Sequence, residues 1–325
     1  MPPLHFLPII KRIRWGGRRL GERLGKPIGE GGDYAESWEV VDHGDDQSVV
    51  AEGSLEGQAL SSLVAGRGDE LFGPGRGRDQ FPLLIKFLDA SDRLSVQVHP
   101  DDALAKRHDP VENGKTEAWV ILDAEPSAVL WCGLKNGVTE SQMRDALASD
   151  TVASLLHEVA VRPGDCVFIP AGTVHAIGEG ILLAEVQQSS DLTFRYYDWG
   201  RVGADGNPRE LHIDESMEAT DWLRGPVDPV VPQPMSGADG SRTERLVGCD
   251  YFTLSRHIID SDFAAPDDGR LHVYMALSGT GTLTGEEGPI AMPTGKTVVL
   301  PAVRDAVSIR TDDGPLALLD ATIDD

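Results

Sequence analysis

Hydrophobic and polar residues alternate strictly along residues 93–100 (RLSVQVHP), which is typical of a β-strand with one buried face. Leucine or valine occupies every second position, and the other face carries Ser95, Gln97 and His99. An ordinary surface strand more often carries Lys, Glu or Thr there. The pattern therefore predicts a strand that packs on one side and presents an amide and an imidazole on the other.

Residues 115–122 (KTEAWVIL) predict a second strand, in which Glu117, Trp119 and Ile121 share a face. A carboxylate on the bulky apolar face of a strand is unfavourable unless it is paired with a cation or binds one. Glu117 is therefore a candidate functional residue.

Three more strand-like segments, joined by turns rich in Gly and Pro, follow one another between residues 162 and 201. They carry His175, Glu185 and Arg195 within a short stretch of chain. A histidine, a carboxylate and an arginine delivered by neighbouring strands are typical of an active site, and we expect one here.

Helical spacing of apolar residues predicts a short helix within residues 55–73 and one or two short helices within residues 139–156. Residues 225–240 are rich in Pro and Gly and predict a linker, and six further strand-like segments follow it. The predicted organisation is an N-terminal domain (1–224) with a small helical insertion, a linker (225–240) and a smaller β domain (241–325).

Composition narrows the range of partners. The 325 residues carry a formal net charge of -24, which argues against nucleic acid and anionic membrane surfaces. No apolar run approaches the roughly 20 residues that span a membrane. The three cysteines (Cys132, Cys166 and Cys249) are far apart and form no Cys-x-x-Cys pair, so a cytoplasmic protein is predicted.

The side chains of Gln97, His99, Glu117 and His175 together offer oxygen and nitrogen atoms to a metal ion. Such a set suits Zn²⁺, with Mn²⁺, Co²⁺ or Fe²⁺ as alternatives. Because none of the four is Cys, a catalytic metal is predicted rather than a structural one. The other seven histidines lack comparable neighbours and are predicted to be structural or surface residues.

The spacing of Gly164, Pro170, Gly172 and His175 resembles the second sequence motif of the cupin superfamily. The usual Asn four positions after the His is Glu179 in this chain. This resemblance implies small antiparallel β-barrels, jelly-roll-like, that hold a metal. The second β domain carries the same Gly-to-Pro spacing but no His after it, so it resembles a degenerate cupin barrel without metal ligands.

Four segments, in order and spacing, resemble the short bacterial form of the type I mannose-6-phosphate isomerases: SVQVHP (95–100), KTE (115–117), residues 164–175 and SDLTFR (190–195). The likeness covers most of residues 3–200. It implies an all-β-dominated chain of two cupin-type barrels with a few short helices, a monomer or homodimer that interconverts mannose 6-phosphate and fructose 6-phosphate through an enediolate.

The same resemblance assigns roles to individual residues. It implies that Gln97, His99, Glu117 and His175 hold one Zn²⁺ or similar ion. It also implies that Arg195 lies over the reacting carbons and that Lys115 and Asp191 take part in proton transfer or ring opening.

Some alternatives stay open at the level of sequence. A metal-holding cupin that binds a sugar phosphate without turning it over would not need Lys115, Asp191 and Arg195 together, and a broader aldose isomerase is a further alternative. A cupin dioxygenase would gather more histidines around iron. The substrate phosphate needs basic partners, and the sequence does not choose among Lys11, Arg12, Arg14, Arg18, Arg19, Arg76 and Arg78.

Overall fold

A computed structural model describes residues 1–202, 206–235 and 241–323. The chain divides into two compact units, one formed by Met1–Arg12, Arg18–Phe87 and Val230–Asp325, and the other by Ile13–Gly17 and Leu88–Pro229. We call the latter the central unit and the former the outer unit. In this division by contacts, residues 18–87 group with the C-terminal strands.

The predicted domain boundaries themselves stay a prediction. Residues 236–240 of the predicted linker lie outside the described residues. Within the rest of that segment, Gln233–Met235 forms a short strand that pairs antiparallel with Ser241–Gly248.

The strands, in chain order, are β1 (Ile9–Gly17), β2 (Tyr34–Val40), β3 (Asp42–His43), β4 (Asp46–Gln47), β5 (Leu83–Ala90), β6 (Val96–Val98), β7 (Glu117–Ala124), β8 (Val129–Leu134), β9 (Leu156–Ala160), β10 (Cys166–Ile169), β11 (His175–Ile177), β12 (Ile181–Gln188), β13 (Phe194–Tyr197), β14 (Gln233–Met235), β15 (Ser241–Gly248), β16 (Thr253–Ile259), β17 (Asp262–Ala264), β18 (His272–Ser278), β19 (Gly281–Gly285), β20 (Gly288–Ala291), β21 (Thr297–Leu300), β22 (Ser308–Thr311) and β23 (Leu316–Thr322). The helices are α1 (Arg19–Leu24), α2 (Leu60–Phe72), α3 (Asp102–His108), α4 (Glu140–Ala148) and α5 (Ile213–Ala219), with a 3₁₀ turn at Val152–Leu155.

The predicted fold class is confirmed, since antiparallel strands dominate the described residues and the helices are short. The sheets remain open rather than closing into hydrogen-bonded barrels. The predicted helices near residues 55–73 and 139–156 are confirmed as α2, α4 and the 3₁₀ turn.

A five-stranded sheet of the central unit, with the order β13-β6-β11-β8-β9, carries the strand that was predicted from alternation. One face of this sheet packs into a core with helices α4 and α5. That core includes Val96, Val98, Met143, Phe194 and Met217. Burial of the two valines fixes the register of β6, because a shift by one residue would turn its polar face into the apolar core.

The C-terminal strands form two sheets, with the orders β14-β15-β16-β23-β18-β21 and β17-β22-β19-β20. Apolar side chains from both sheets form one cluster, which includes Tyr274, Leu283, Val298, Ile309 and Leu318. These strands match the predicted C-terminal β segments in order and approximate position.

None of the described helices is long and apolar enough to cross a membrane.

A buried polar cluster lies among the C-terminal strands, at two of the histidines that were predicted to be structural. Asp320 Oδ2 is 3.1 Å from His257 Nε2 and 2.9 Å from His272 Nδ1. The other ring nitrogen of His272, Nε2, is 3.1 Å from Asp268 Oδ1. Because carboxylates accept at both ring nitrogens, His272 carries a hydrogen on each and is an imidazolium.

The charges of this cluster make the stability of the protein depend on pH. Burial alone would lower the pKa of His272, but Asp320 and Asp268 outweigh it and raise the pKa to about 9. The folded state therefore holds a proton that the unfolded chain releases near pH 6.5. This stabilisation is complete below about pH 6.5 and is lost as the pH rises through about 9.

We expect the melting temperature of the wild type to fall between pH 7 and pH 10 more than that of His272→Gln. The variant is less stable at pH 7 but lacks this titrating group. His157→Gln, which removes the partly exposed histidine beside Asp228, is the control and should keep the wild-type slope. Equal pH slopes for wild type and His272→Gln would contradict this description of the cluster.

Candidate metal centre

Three functional candidates form one row across neighbouring strands of the five-stranded sheet. Gln97 on β6 pairs with His175 on β11 and, on its other side, with Arg195 on β13. Paired residues of adjacent strands point to the same face of a sheet. The row therefore places an imidazole, an amide and a guanidinium side by side on the face opposite the apolar core.

Glu117 and His99 complete a compact group with His175. Glu117 Oε1 is 3.3 Å from His175 Nε2, and Glu117 Oε2 is 3.6 Å from His99 Nε2. All three side chains are about 1% exposed, and one ligand atom from each lies within 4.8 Å of the others. This is the one such group of metal-binding side chains among the described residues.

Backbone carbonyls set the tautomers of both imidazoles. His99 Nδ1 lies 3.0 Å from the carbonyl oxygen of Leu192, and His175 Nδ1 lies 2.8 Å from that of Thr173. A carbonyl can only accept, so each Nδ1 carries the hydrogen and each Nε2 presents a lone pair. Fixing the tautomer in this way is what metal-binding histidines commonly require.

The donor set fits a divalent metal ion. Two imidazole lone pairs face the carboxylate of Glu117, and both groups are hydrogen-bond acceptors. This arrangement is unfavourable unless a cation or a proton lies between them. Oxygen and nitrogen ligands about 2.0–2.2 Å from Zn²⁺ at tetrahedral angles lie about 3.3–3.6 Å apart. The distances from Glu117 to the two imidazoles fall in this range.

The Gln97 amide lies beside the same two nitrogens. Its nitrogen is 3.2 Å from His175 Nε2 and 3.5 Å from His99 Nε2. A half-turn of the amide exchanges nitrogen for oxygen in that position, and the two orientations are assigned from the hydrogen-bond network. Gln97 can therefore either donate to the imidazoles or offer an oxygen ligand.

Burial keeps the second histidine neutral. Desolvation lowers the pKa of His175 to about 4, and the hydrogen bond to Thr173 only partly opposes this shift. A neutral imidazole is the form that binds a metal. The ring of Trp119 packs edge-on against His175 at 5.4 Å between centroids, and its Nε1 donates to Glu185 at 2.9 Å. Glu185 thus supports Trp119 and does not join the three-residue group.

Lys115 lies at the group itself. Its Nζ is 3.0 Å from Glu117 Oε2 and 3.1 Å from His99 Nε2, and the residue is 5% exposed. A backbone hydrogen bond to Pro100 O, 3.0 Å long, holds this position just before β7. An ammonium group here can exchange a proton with a molecule bound at the centre.

Arg195 is half-buried beside Gln97. Its Nε donates to Ser95 Oγ at 3.3 Å and one terminal nitrogen donates to the Glu210 carbonyl at 2.8 Å. Among the described residues it forms no ion pair with Asp191, so pairing within the turn does not explain its presence. Its second terminal nitrogen remains available to a bound molecule.

Asp191 differs from the other candidates because it is exposed, on the loop between β12 and β13. The structure does not bring its side chain into contact with the three-residue group. The neighbouring residue, Leu192, supplies the carbonyl that holds His99. Asp191 therefore lies on the segment that borders the centre.

Some supporting contacts were not predicted from the sequence. The Gln188 side chain accepts from the backbone N–H of Thr116 at 2.9 Å and donates to Asp102 at 3.0 Å. These bonds fix the chain between Lys115 and Glu117. The position of Gln188 at the end of a buried strand was visible in the sequence, but its partners lie 72 and 86 residues away.

Comparisons with known proteins point to one family. A family model described as phosphomannose isomerase type I, catalytic domain, matches residues 5–122. Mannose-6-phosphate isomerase ManA of Bacillus subtilis is 36% identical over 299 residues, which cover 92% of this chain and 93% of that protein. The crystal structure of the mannose 6-phosphate isomerase from Bacillus subtilis matches with a TM-score of 0.90 at 30% identity and covers 99% of both chains.

A more distant structure shares the fold. A mannose 6-phosphate isomerase bound with zinc and yttrium matches with a TM-score of 0.74 at 16% identity, over 98% of both chains. The sequence identity, the matching fold and the coverage of almost the whole chain all indicate the same family. The chain belongs to the type I phosphomannose isomerase family.

Proposed function

We propose that this protein interconverts mannose 6-phosphate and fructose 6-phosphate through an enediolate. The observation that carries the proposal is the buried group of His99, Glu117 and His175, with Lys115 and Arg195 beside it. Relatives named mannose-6-phosphate isomerase support this substrate pair. A monomer or homodimer in the cytoplasm stays a prediction.

Gln97, His99, Glu117 and His175 would hold one divalent cation, for which we propose Zn²⁺. The absence of Cys from the set and the zinc in a related isomerase structure support this choice. When bound, such an ion acts as a Lewis acid that polarises carbonyl and hydroxyl oxygens of the substrate.

Lys115 would carry the proton that moves between C1 and C2 or assist ring opening. Its Nζ lies within hydrogen-bond distance of both Glu117 and His99, so it is held beside the residues that would bind the metal. A positioned acid or base contributes about 10²–10⁴-fold to such a step. Asp191, on the bordering loop, is proposed to assist ring opening.

Arg195 would stabilise the negative charge that develops on the enediolate oxygens. Two of its nitrogens are fixed by Ser95 and the Glu210 carbonyl, so the guanidinium is oriented before substrate binds. Donors fixed in advance need no reorganisation as the charge appears, which is the basis of their effect on rate.

The proposal is tested by comparing mannose 6-phosphate with free mannose. We expect kcat/KM to be higher for the phosphorylated sugar by more than about 100-fold, because two charge-assisted hydrogen bonds to a phosphate contribute roughly that much. Initial rates with both sugars, measured on one metal-loaded preparation, give the ratio. Equal efficiency on the two sugars would instead favour a broad aldose isomerase.

A further inference from the structure

The segment Arg209–His212 runs beside β13 and is bonded to Arg195 through three hydrogen bonds. The Arg195 backbone N–H donates to His212 Nδ1 at 3.2 Å, and the His212 N–H donates to the Arg195 carbonyl at 2.8 Å. The Arg195 guanidinium donates to the carbonyl of Glu210 at 2.8 Å. The segment therefore continues the row of His175, Gln97 and Arg195 by one more position.

Arg209 and Arg201 both lie near Arg195, but their surroundings differ. Arg201 is 11% exposed, donates to the Arg93 carbonyl, and forms ion pairs with Asp198 and, at 3.2 Å, with Asp92. Its hydrogen-bonding groups are used within the protein, so it is a structural residue.

Arg209 has most of its hydrogen-bonding capacity available. Within the described part of the chain it makes one ion pair, a long one of 3.7 Å to Asp198, which Arg201 already neutralises. Its side chain is 32% exposed. A guanidinium carries five N–H donors, so this residue can bind an anion without breaking a hydrogen bond of the fold.

Two guanidinium groups lie close enough to repel each other. Arg201 is balanced by its ion pairs with Asp198 and Asp92, whereas Arg195 makes no ion pair among the described residues. Burial lowers the pKa of Arg195, and the neighbouring charge of Arg209 lowers it further. An anion bound by Arg209 would offset that repulsion.

We propose that Arg209 binds the phosphate group of the substrate. This inference rests on the proposed function and supplies the phosphate ligand that the sequence left open. Neighbouring strands lie about 4.8 Å apart. His212, which pairs with Arg195, is therefore roughly two strand spacings from Gln97, and Arg209 lies three residues away along the same segment. A hexose 6-phosphate carries its phosphate at the opposite end of the carbon chain from C1 and C2, so the phosphate ligand must lie away from the metal-binding residues.

Four of the seven basic residues that the sequence suggested have partners within the protein. Lys11 pairs with Asp46 at 2.6 Å, Arg12 with Asp33 at 2.7 Å, and Arg18 with Glu22 at 3.2 Å. Arg14 donates to the carbonyl of Val202 at 3.0 Å. These contacts make Arg209 the better candidate.

The test compares Arg209→Ala, Arg209→Lys and the control Arg162→Ala, whose side chain is 86% exposed on the loop before β10. We expect Arg209→Ala to raise KM for mannose 6-phosphate about 10–100-fold, as one charge-assisted interaction would, with kcat changed only a few-fold. Arg209→Lys should recover part of the loss, because a phosphate accepts a point charge. Turnover of free mannose should be unchanged in all three.

Calorimetric titration with inorganic phosphate provides a measurement that does not need turnover. We expect phosphate to bind wild type and Arg162→Ala equally and Arg209→Ala at least about 10-fold more weakly. If wild type converts mannose 6-phosphate but both Arg209 variants keep its KM and its phosphate affinity, the subsite is wrong and the function stands. An equal fall in kcat/KM for mannose and mannose 6-phosphate in Arg209→Ala would likewise overturn the assignment of Arg209 to the phosphate. If Arg209 binds phosphate but the wild type does not convert mannose 6-phosphate, the proposed isomerase function is wrong and the phosphate site stands.

Discussion

Glu117→Gln is expected to reduce the affinity for a divalent metal by more than about 100-fold and to abolish turnover, because changes even to residues that only support metal ligands cost about 10–100-fold. Glu117 is the one anion in the group, and both of its oxygens face imidazole nitrogens. Glutamine has the same shape but removes the charge that holds the cation.

The control for this change is Glu158→Gln, which removes an exposed carboxylate from β9. Elemental analysis should find about one ion per chain in the wild type and the control, as a catalytic site of this kind holds. It should find far less in Glu117→Gln after dialysis. A full complement of tightly bound metal in Glu117→Gln would show that the centre lies elsewhere.

Arg195→Ala is expected to lower kcat by about 10²–10³-fold while the metal content stays at the wild-type level. The reason is that Arg195 would act on charge present only in the transition state, so KM should change much less than kcat. Arg195→Lys should recover little. A lysine cannot hold Ser95 and the Glu210 carbonyl from one planar group while offering a further donor.

Turnover, metal content and melting temperature should be measured on the same preparations, with Arg162→Ala as the control. A near-normal kcat in folded Arg195→Ala, with only the melting temperature lowered, would make Arg195 a structural residue. A rise in KM of about 10²–10³-fold without loss of kcat would instead mean that Arg195 contributes to substrate binding and not to the chemical step.

Local patterns were sufficient to predict the strands that carry the centre. Alternation along residues 93–100 predicted which side of β6 carries Gln97, because a strand with one buried face has only one allowed register. The apolar face around Glu117 predicted a buried carboxylate, since such a group needs a cation nearby.

Long-range proximity could not be predicted from such patterns. Lys115 and Asp191 looked equivalent in the sequence, yet Lys115 lies buried at the group and Asp191 is exposed on its border. No sequence pattern pointed to Arg209, because only the hydrogen bonds of Glu210 and His212 to Arg195 bring its segment to the site. The interactions of His272 with Asp320 likewise join strands 48 residues apart.

The central claim is that this chain is a metal-dependent sugar-phosphate isomerase. The most direct measurement is formation of fructose 6-phosphate from mannose 6-phosphate in a coupled assay, on untreated protein, after removal of metal by a chelator, and after return of Zn²⁺. We predict turnover in the first sample, loss in the second and recovery in the third. No fructose 6-phosphate from metal-loaded protein, or full activity in protein shown by elemental analysis to hold no metal, would contradict the claim.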